Sequence, residues 1–300
     1  MDTLRTPDDR FTDLPGYDFE PHYAEIDDTD GGTLRVHYID EGPADADPVL
    51  LMHGEPSWAY LYRHMIEPLV AAGHRVIVPD QVGCGRSDKP TEQSDYTYAR
   101  HVQWMSQLVF DHLDLSGITM FCQDWGGLIG LRLLTAQPDR FDRVAVSNTG
   151  MPDGRGTPPE AFIQWQQFSQ TTPDFTVGAI LQMATVTELS DEIMAAYDAP
   201  FPDDSYKAGV RIWPSLVPTS TDDPESAANM AAWEVLAAFD KPVLCCFSDS
   251  DPVTAGGEKA FLGRVAGTEG QAHTTVEGGG HFVQEDKGPE LAQILIDFIG

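Results

Sequence analysis

Basic residues are scarce in this chain: 18 Lys and Arg stand against 48 Asp and Glu, a formal charge of −30 at pH 7 with histidine neutral. Only five of the 18 are lysine, and 32 of the 48 acids are aspartate. A field of that sign repels phosphate backbones and argues against nucleic acid as a partner. The Asp-rich, Lys-poor balance resembles that of salt-adapted proteins, where counterions screen self-repulsion. It bears on solvent rather than on chemistry. Cysteine is sparse as well. Cys84, Cys122, Cys245 and Cys246 include no CxxC pair, and adjacent Cys245 and Cys246 in an apolar run point to opposite faces of a strand. They read as buried thiols of a reduced compartment, not staples. No run reaches the ~18 apolar residues a membrane span needs, and Met1–Arg5 has no apolar leader, so the expectation is a cytoplasmic protein. Nine histidines offer no HExxH or other ligand spacing, and no metal is implied.

What the chain does have is core material. Its 300 residues are 41% hydrophobic, enough for one large or two small domains burying roughly 75% of the extended-chain surface. Apolar runs of strand character recur at Leu34–Ile39, Pro48–Met52, Arg75–Pro79, Ile118–Cys122, Arg143–Ser147 and Pro242–Phe247. Only the first alternates; near-continuous runs suit parallel strands covered on both faces. Helical stretches fall near Tyr98–Leu113, Gly126–Ala136 and Asp286–Phe298. Such alternation predicts an α/β architecture with a mostly parallel central sheet flanked by helices. The rhythm breaks after Met151, where a Pro- and Gly-rich loop opens a stretch of short helices without a strand. The expected division is a sheet core of residues 1–150 and 227–300, with a helical cap of residues 151–226 and a cleft between them.

Cys122-Gln-Asp-Trp-Gly-Gly127 marks a strand ending where a helix begins, with small residues around Asp124. Small flanks allow the sharp turn of a nucleophile elbow, which lifts the central side chain off the sheet. Serine is the usual occupant. A carboxylate there can displace a leaving group at saturated carbon, giving an alkyl ester that water must hydrolyse. The plainer reading of Asp124 is a helix N-cap. Hydrolysis needs a base, and His281 follows Glu277-Gly-Gly-Gly280 on a loop before the last helix. An acid after a late strand should orient it; Asp249 and Asp251 qualify, and Asp251 lies farther beyond the strand. The alternative seat, after Arg143–Ser147, holds Asn148, which cannot serve. The order Asp124, Asp251, His281 is that of α/β-hydrolases. The loop His53-Gly-Glu-Pro-Ser-Trp58 follows a strand, so the backbone N–H groups of Glu55 and Trp125 are assigned to an oxyanion hole. His53 reads as a loop brace. Gly83–Ser87 lacks the third glycine of a dinucleotide loop and reads as a turn. Trp125 and Trp165 are pure donors that could grip a leaving anion, whereas Trp58, Trp104 and Trp233 read as structural. Trp213, before Pro214, is a candidate for the cleft lining.

Together HGEPSW (53–58), PDQVGCGRSDKP (79–90), CQDWGG (122–127), FIQWQQFSQ (162–170), IWPSLVP (212–218), SDSDP (248–252) and GGGHF (278–282) resemble the haloalkane dehalogenases. The likeness is strongest to members with Asp as triad acid and a second halide-binding Trp in the cap. It implies Asp124 as nucleophile, His281 as base, Asp251 as its partner, Trp125 and Trp165 as halide ligands, and no cofactor. Substrate would be a small haloalkane with water, the product halide leaving, in a monomer or small homo-oligomer. An epoxide hydrolase shares the fold and the Asp nucleophile but protonates its substrate with cap tyrosines, for which Tyr197 and Tyr206 are candidates. A non-catalytic binding relative is the third reading.

Overall fold

A computed structural model describes residues 1–300. Eight strands form one sheet: β1 (His22–Asp27), β2 (Thr33–Glu41), β3 (Pro48–Met52), β4 (Arg75–Pro79), β5 (Ile118–Gln123), β6 (Phe141–Ser147), β7 (Val243–Ser248) and β8 (Thr274–Val276). Their order across the sheet is β8-β7-β6-β5-β3-β4-β2-β1. The pairs β1/β2 and β2/β4 are antiparallel, and every pairing from β4 to β8 is parallel. Every residue of β3 and β5 is buried, as inner strands with helices on both faces require, while the edge strand β1 shows alternating exposure.

The helices are α1 (Arg63–Ala71), α2 (Tyr98–Ser106), α3 (Trp125–Ala136), α4 (Glu160–Thr171), α5 (Val177–Met183), α6 (Asp191–Asp198), α7 (Ala208–Leu216), α8 (Ser226–Ala237), α9 (Glu258–Leu262) and α10 (Val283–Ile299). The single helix expected over Tyr98–Leu113 ends at Ser106 and widens into a π-helical turn over Gln107–His112. Thr97 caps α2, its side chain accepting the Arg100 N–H. The last helix begins at Val283, three residues ahead of the expected Asp286, and kinks at Lys287 just before Pro289. Proline supplies no N–H there and its ring crowds the carbonyl four residues back.

Between Ser147 at the end of β6 and Val243 at the start of β7 the chain makes helices and no strand. Within this insertion α4 packs on α7 and α5 on α6, and α8 returns to lie against α3. Phe175, Val177, Leu181, Tyr197 and Trp213 of the insertion belong to the same buried apolar cluster as the sheet residues. Insertion and sheet therefore share one core. All four cysteines are buried and free. No helix is long and apolar enough to cross a membrane.

Candidate active site

Asp124 occupies the turn between β5 and α3 at φ +51° and ψ −128°, a conformation that L-residues avoid. Several bonds hold it there. Its N–H donates to the Asn148 carbonyl at 3.0 Å, and its own carbonyl accepts from Gly127 N at 2.9 Å and Thr149 Oγ1 at 2.7 Å. A Cβ on Gly126 would stand 1.9 Å from the Met52 carbonyl oxygen, and one on Gly127 would stand 2.0 Å from Thr149 Oγ1. Glycine is required at both positions by backbone and side-chain contact alike. Gly54 is equally constrained, since its Cβ would meet Asp124 Cβ at 2.5 Å. The Asp124 side chain makes no capping bond to α3, so the N-cap reading does not describe it. Instead Oδ1 accepts the Glu55 N–H at 2.8 Å, and Oδ2 lies 3.5 Å from His281 Nε2.

On the other side of the ring, His281 Nδ1 donates to Asp251 Oδ2 at 2.9 Å. Asp251 is buried and also accepts from Val253 N at 2.8 Å and from the Thr254 hydroxyl. Asp249 is exposed and bonds Ser250 and Gly278 instead. Burial alone would favour the neutral forms of Asp251 and His281. Their mutual attraction outweighs it: Asp251 is held down at about 2, and His281, flanked by Asp251 and Asp124, is raised to about 10. Asn148 uses its whole amide. Nδ2 donates to Ser248 Oγ at 2.8 Å, Gly280 O at 2.8 Å and His281 O at 3.1 Å, while Oδ1 accepts the Ser248 N–H. Gln123 adds a bond from Nε2 to His281 O at 3.0 Å. Neither bracing role has a sequence signature beyond the residues' positions at strand ends.

Asp124, Trp125, Trp165, Glu55 and His281 all line one cavity of about 1000 Å³. Trp165 stacks on Phe168, with ring centroids 5.8 Å apart, and lies close to the Glu55 carboxyl. That carboxyl is buried, and burial together with the Asp124 charge pushes its pKa well above the usual carboxylate range. Trp213 differs from expectation. It is fully buried behind Trp125, ring centroids 5.1 Å apart, and leaves the lining to Pro214. Trp233 reaches the lining, and its indole N–H donates to Met151 O. Trp58 and Trp104 are buried away from the cavity. His53 is buried with both ring nitrogens on backbone, Nε2 accepting Gln81 N–H at 3.0 Å and Nδ1 against Gly54 O at 2.9 Å. Tyr197 and Tyr206 do not line the cavity; the Tyr197 hydroxyl is buried on Glu285 at 2.5 Å.

A family model described as the alpha/beta hydrolase fold matches residues 47–288. A haloalkane dehalogenase of Psychrobacter cryohalolentis is 60% identical over 299 residues, covering 100% of this chain and 98% of that one. One from Mycobacterium marinum is 48% identical over 298 residues, covering 99% and 100%. A solved haloalkane dehalogenase from Paraglaciecola agarilytica, described as tetrameric, superposes with a TM-score of 0.88 at 37% identity, covering 98% of this chain and 97% of that one. Agreement that runs end to end in both sequence and fold shows that the chain belongs to the haloalkane dehalogenases, within the α/β hydrolase fold.

Proposed function

We propose that Asp124 attacks the halogen-bearing carbon of a haloalkane within this cavity, in an enzyme that hydrolyses carbon–halogen bonds to an alcohol and halide. The observation that carries the assignment is the Asp124 carboxylate at the strained turn, one oxygen on the Glu55 N–H and the other facing His281. Oδ2 forms the new C–O bond as the carbon–halogen bond breaks, and the halogen leaves with the electron pair. The indole N–H groups of Trp125 and Trp165 receive that anion. Burial and the Asp124 charge, which raise the Glu55 carboxyl well above its usual range, disfavour a second negative charge beside the halide.

Alkylation removes the charge of Asp124, one of the two carboxylates that keep His281 protonated. The ring then gives up its proton to solvent and becomes a base. It takes a proton from water as the oxygen adds to the ester carbon, and Oδ1 gathers negative charge against the Glu55 and Trp125 N–H groups. Collapse of the adduct expels the alkoxide, which takes the proton of the added hydroxyl and leaves as the alcohol, restoring the Asp124 carboxylate beside a protonated His281. Asp251 steadies the imidazolium throughout. Residues 151–226 act as a cap over a core of residues 1–150 and 227–300. A small homo-oligomer fits the tetramer described for the Paraglaciecola relative, and a cytoplasmic location fits the four free buried thiols. An epoxide hydrolase finds no support, because neither candidate tyrosine reaches the cavity.

The test is His281→Gln mixed with a short bromoalkane. It should release about one bromide per site and stall, with one alkyl group added to Asp124 by mass and peptide mapping. Asp124→Asn should give neither burst nor adduct. If the His281 variant, folded and halide-binding, cannot release the first bromide, the two-step division of roles is wrong.

A further inference from the structure

The peptide of His281 is gripped from two bodies of the fold at once. On the sheet side, its carbonyl accepts from Asn148, just after β6, and from Gln123, the last residue of β5. On the insertion side, its N–H donates to the Ala184 carbonyl at 2.8 Å, just past the end of α5, and Phe282 N reaches the same oxygen at 3.3 Å. The contact is tight: a Cβ on Gly280 would stand 2.5 Å from that carbonyl. One side chain fastens the arrangement. Asp286, in the first turn of α10, accepts Val186 N at 3.0 Å and Thr187 N at 2.7 Å through Oδ1, and Gly280 N at 2.7 Å through Oδ2. Its carboxylate thus ties residues of the insertion to the residue before His281, and backbone N–H bonds to an ionised acceptor are the strong ones.

We infer that Asp286 is a positioning residue for the hydrolytic step: it clamps residues 184–187 of the insertion to the His281 loop, and so keeps the base aligned on the alkyl ester. The inference rests on the roles proposed for Asp124 and His281. Attack by Asp124 needs the turn between β5 and α3 and the indoles of Trp125 and Trp165, none of which Asp286 touches. Hydrolysis needs His281 Nε2 in line with a water, and a displacement of about 1 Å can cost a hundredfold. The two half-reactions should separate.

The experiment is rapid mixing of 1-bromobutane with the wild type and with Asp286→Ala, Asp286→Asn and Gly280→Ala, following bromide release and quenched intact mass. Asp286→Ala should keep a burst of one bromide per site at a near-native rate. Its steady turnover should fall at least tenfold, with the butyl adduct becoming the main species. Asp286→Asn, which keeps one acceptor oxygen for the insertion N–H groups, should recover part of the turnover. Gly280→Ala pushes on the same seat from the other side and should also accumulate adduct. It decides the matter if Asp286→Ala fails to fold. Equal loss of burst and turnover in a folded variant, or unchanged turnover without adduct, overturns the inference. A wild type that releases no bromide overturns instead the function on which it rests.

Discussion

Trp165 offers the sharpest test among single residues, since its indole is reached only through the insertion while Trp125 is fixed beside the elbow. Trp165→Leu should weaken bromide binding and slow carbon–halogen cleavage, by about 3 kcal/mol or a hundredfold for one lost donor to a developing anion. Halide quenching of tryptophan fluorescence should shrink in parallel; unchanged affinity and turnover would mean another group receives the halide. The His281–Asp251 pair makes a second claim, about pH. His281 is raised from 6.5 to about 10, so its contribution to stability is complete below 6.5 and lost as pH rises toward 10. Asp251 is lowered from 3.8 to about 2, so its share is complete above 3.8 and lost as pH falls toward 2. The stability advantage of the wild type over His281→Gln should therefore be greatest between about pH 4 and 6.5 and shrink by pH 10 in urea titrations. An advantage that does not change from pH 6.5 to 10 would contradict the pairing. The meeting of Asp124, Asp251 and His281 is legible in the sequence because glycines, strand ends and chain order surround them. The roles of Asn148 and Asp286 are not, because each acts on N–H or carbonyl groups far away in sequence.

The strands β3 and β4 match their runs at both ends, Pro48–Met52 and Arg75–Pro79, and apart from the half-buried Arg75 every residue of the two is buried. β1 and β8 leave no readable run in the sequence, each for its own reason. β1 begins with His-Tyr-Ala-Glu and carries little apolar signal, and β8 has only three residues, two of them exposed threonines. α1 contains Pro68 and lay hidden behind it. The turn from β5 into α3 is the element whose failure is easiest to foresee. Gly126→Ala would drive a methyl group into the Met52 carbonyl of β3, and β3 is locked between β4 and β5. Neither partner can yield without breaking a ladder. The expected loss is about 3 kcal/mol, at the upper end for overpacking, read as a lower urea midpoint at constant slope. A midpoint equal to that of the wild type would show that the turn has slack.

A formal charge of −30 is carried by the whole molecule, and no single residue reveals its cost. If self-repulsion is a burden, the melting temperature should climb from low to molar KCl as the Debye length contracts toward 3 Å. Chloride is also a candidate ligand for the two indoles, so potassium sulfate must be run beside it; sulfate stabilises by exclusion from surfaces and gives the upper comparison. A flat response in both salts would remove salt adaptation as the reason for the acidic surface. The insertion has its own consequence at this scale. It leaves the sheet after β6 and rejoins it at β7, two strands that pair directly, so in connectivity it resembles a replaceable cassette. Chemically it is not one, since Ala184 holds the His281 peptide. Exchange of this segment between relatives would bring a new pocket and unseat His281 together. Lineages that diversify their substrates by recombination should then inherit insertion and C-terminal helix as a single block.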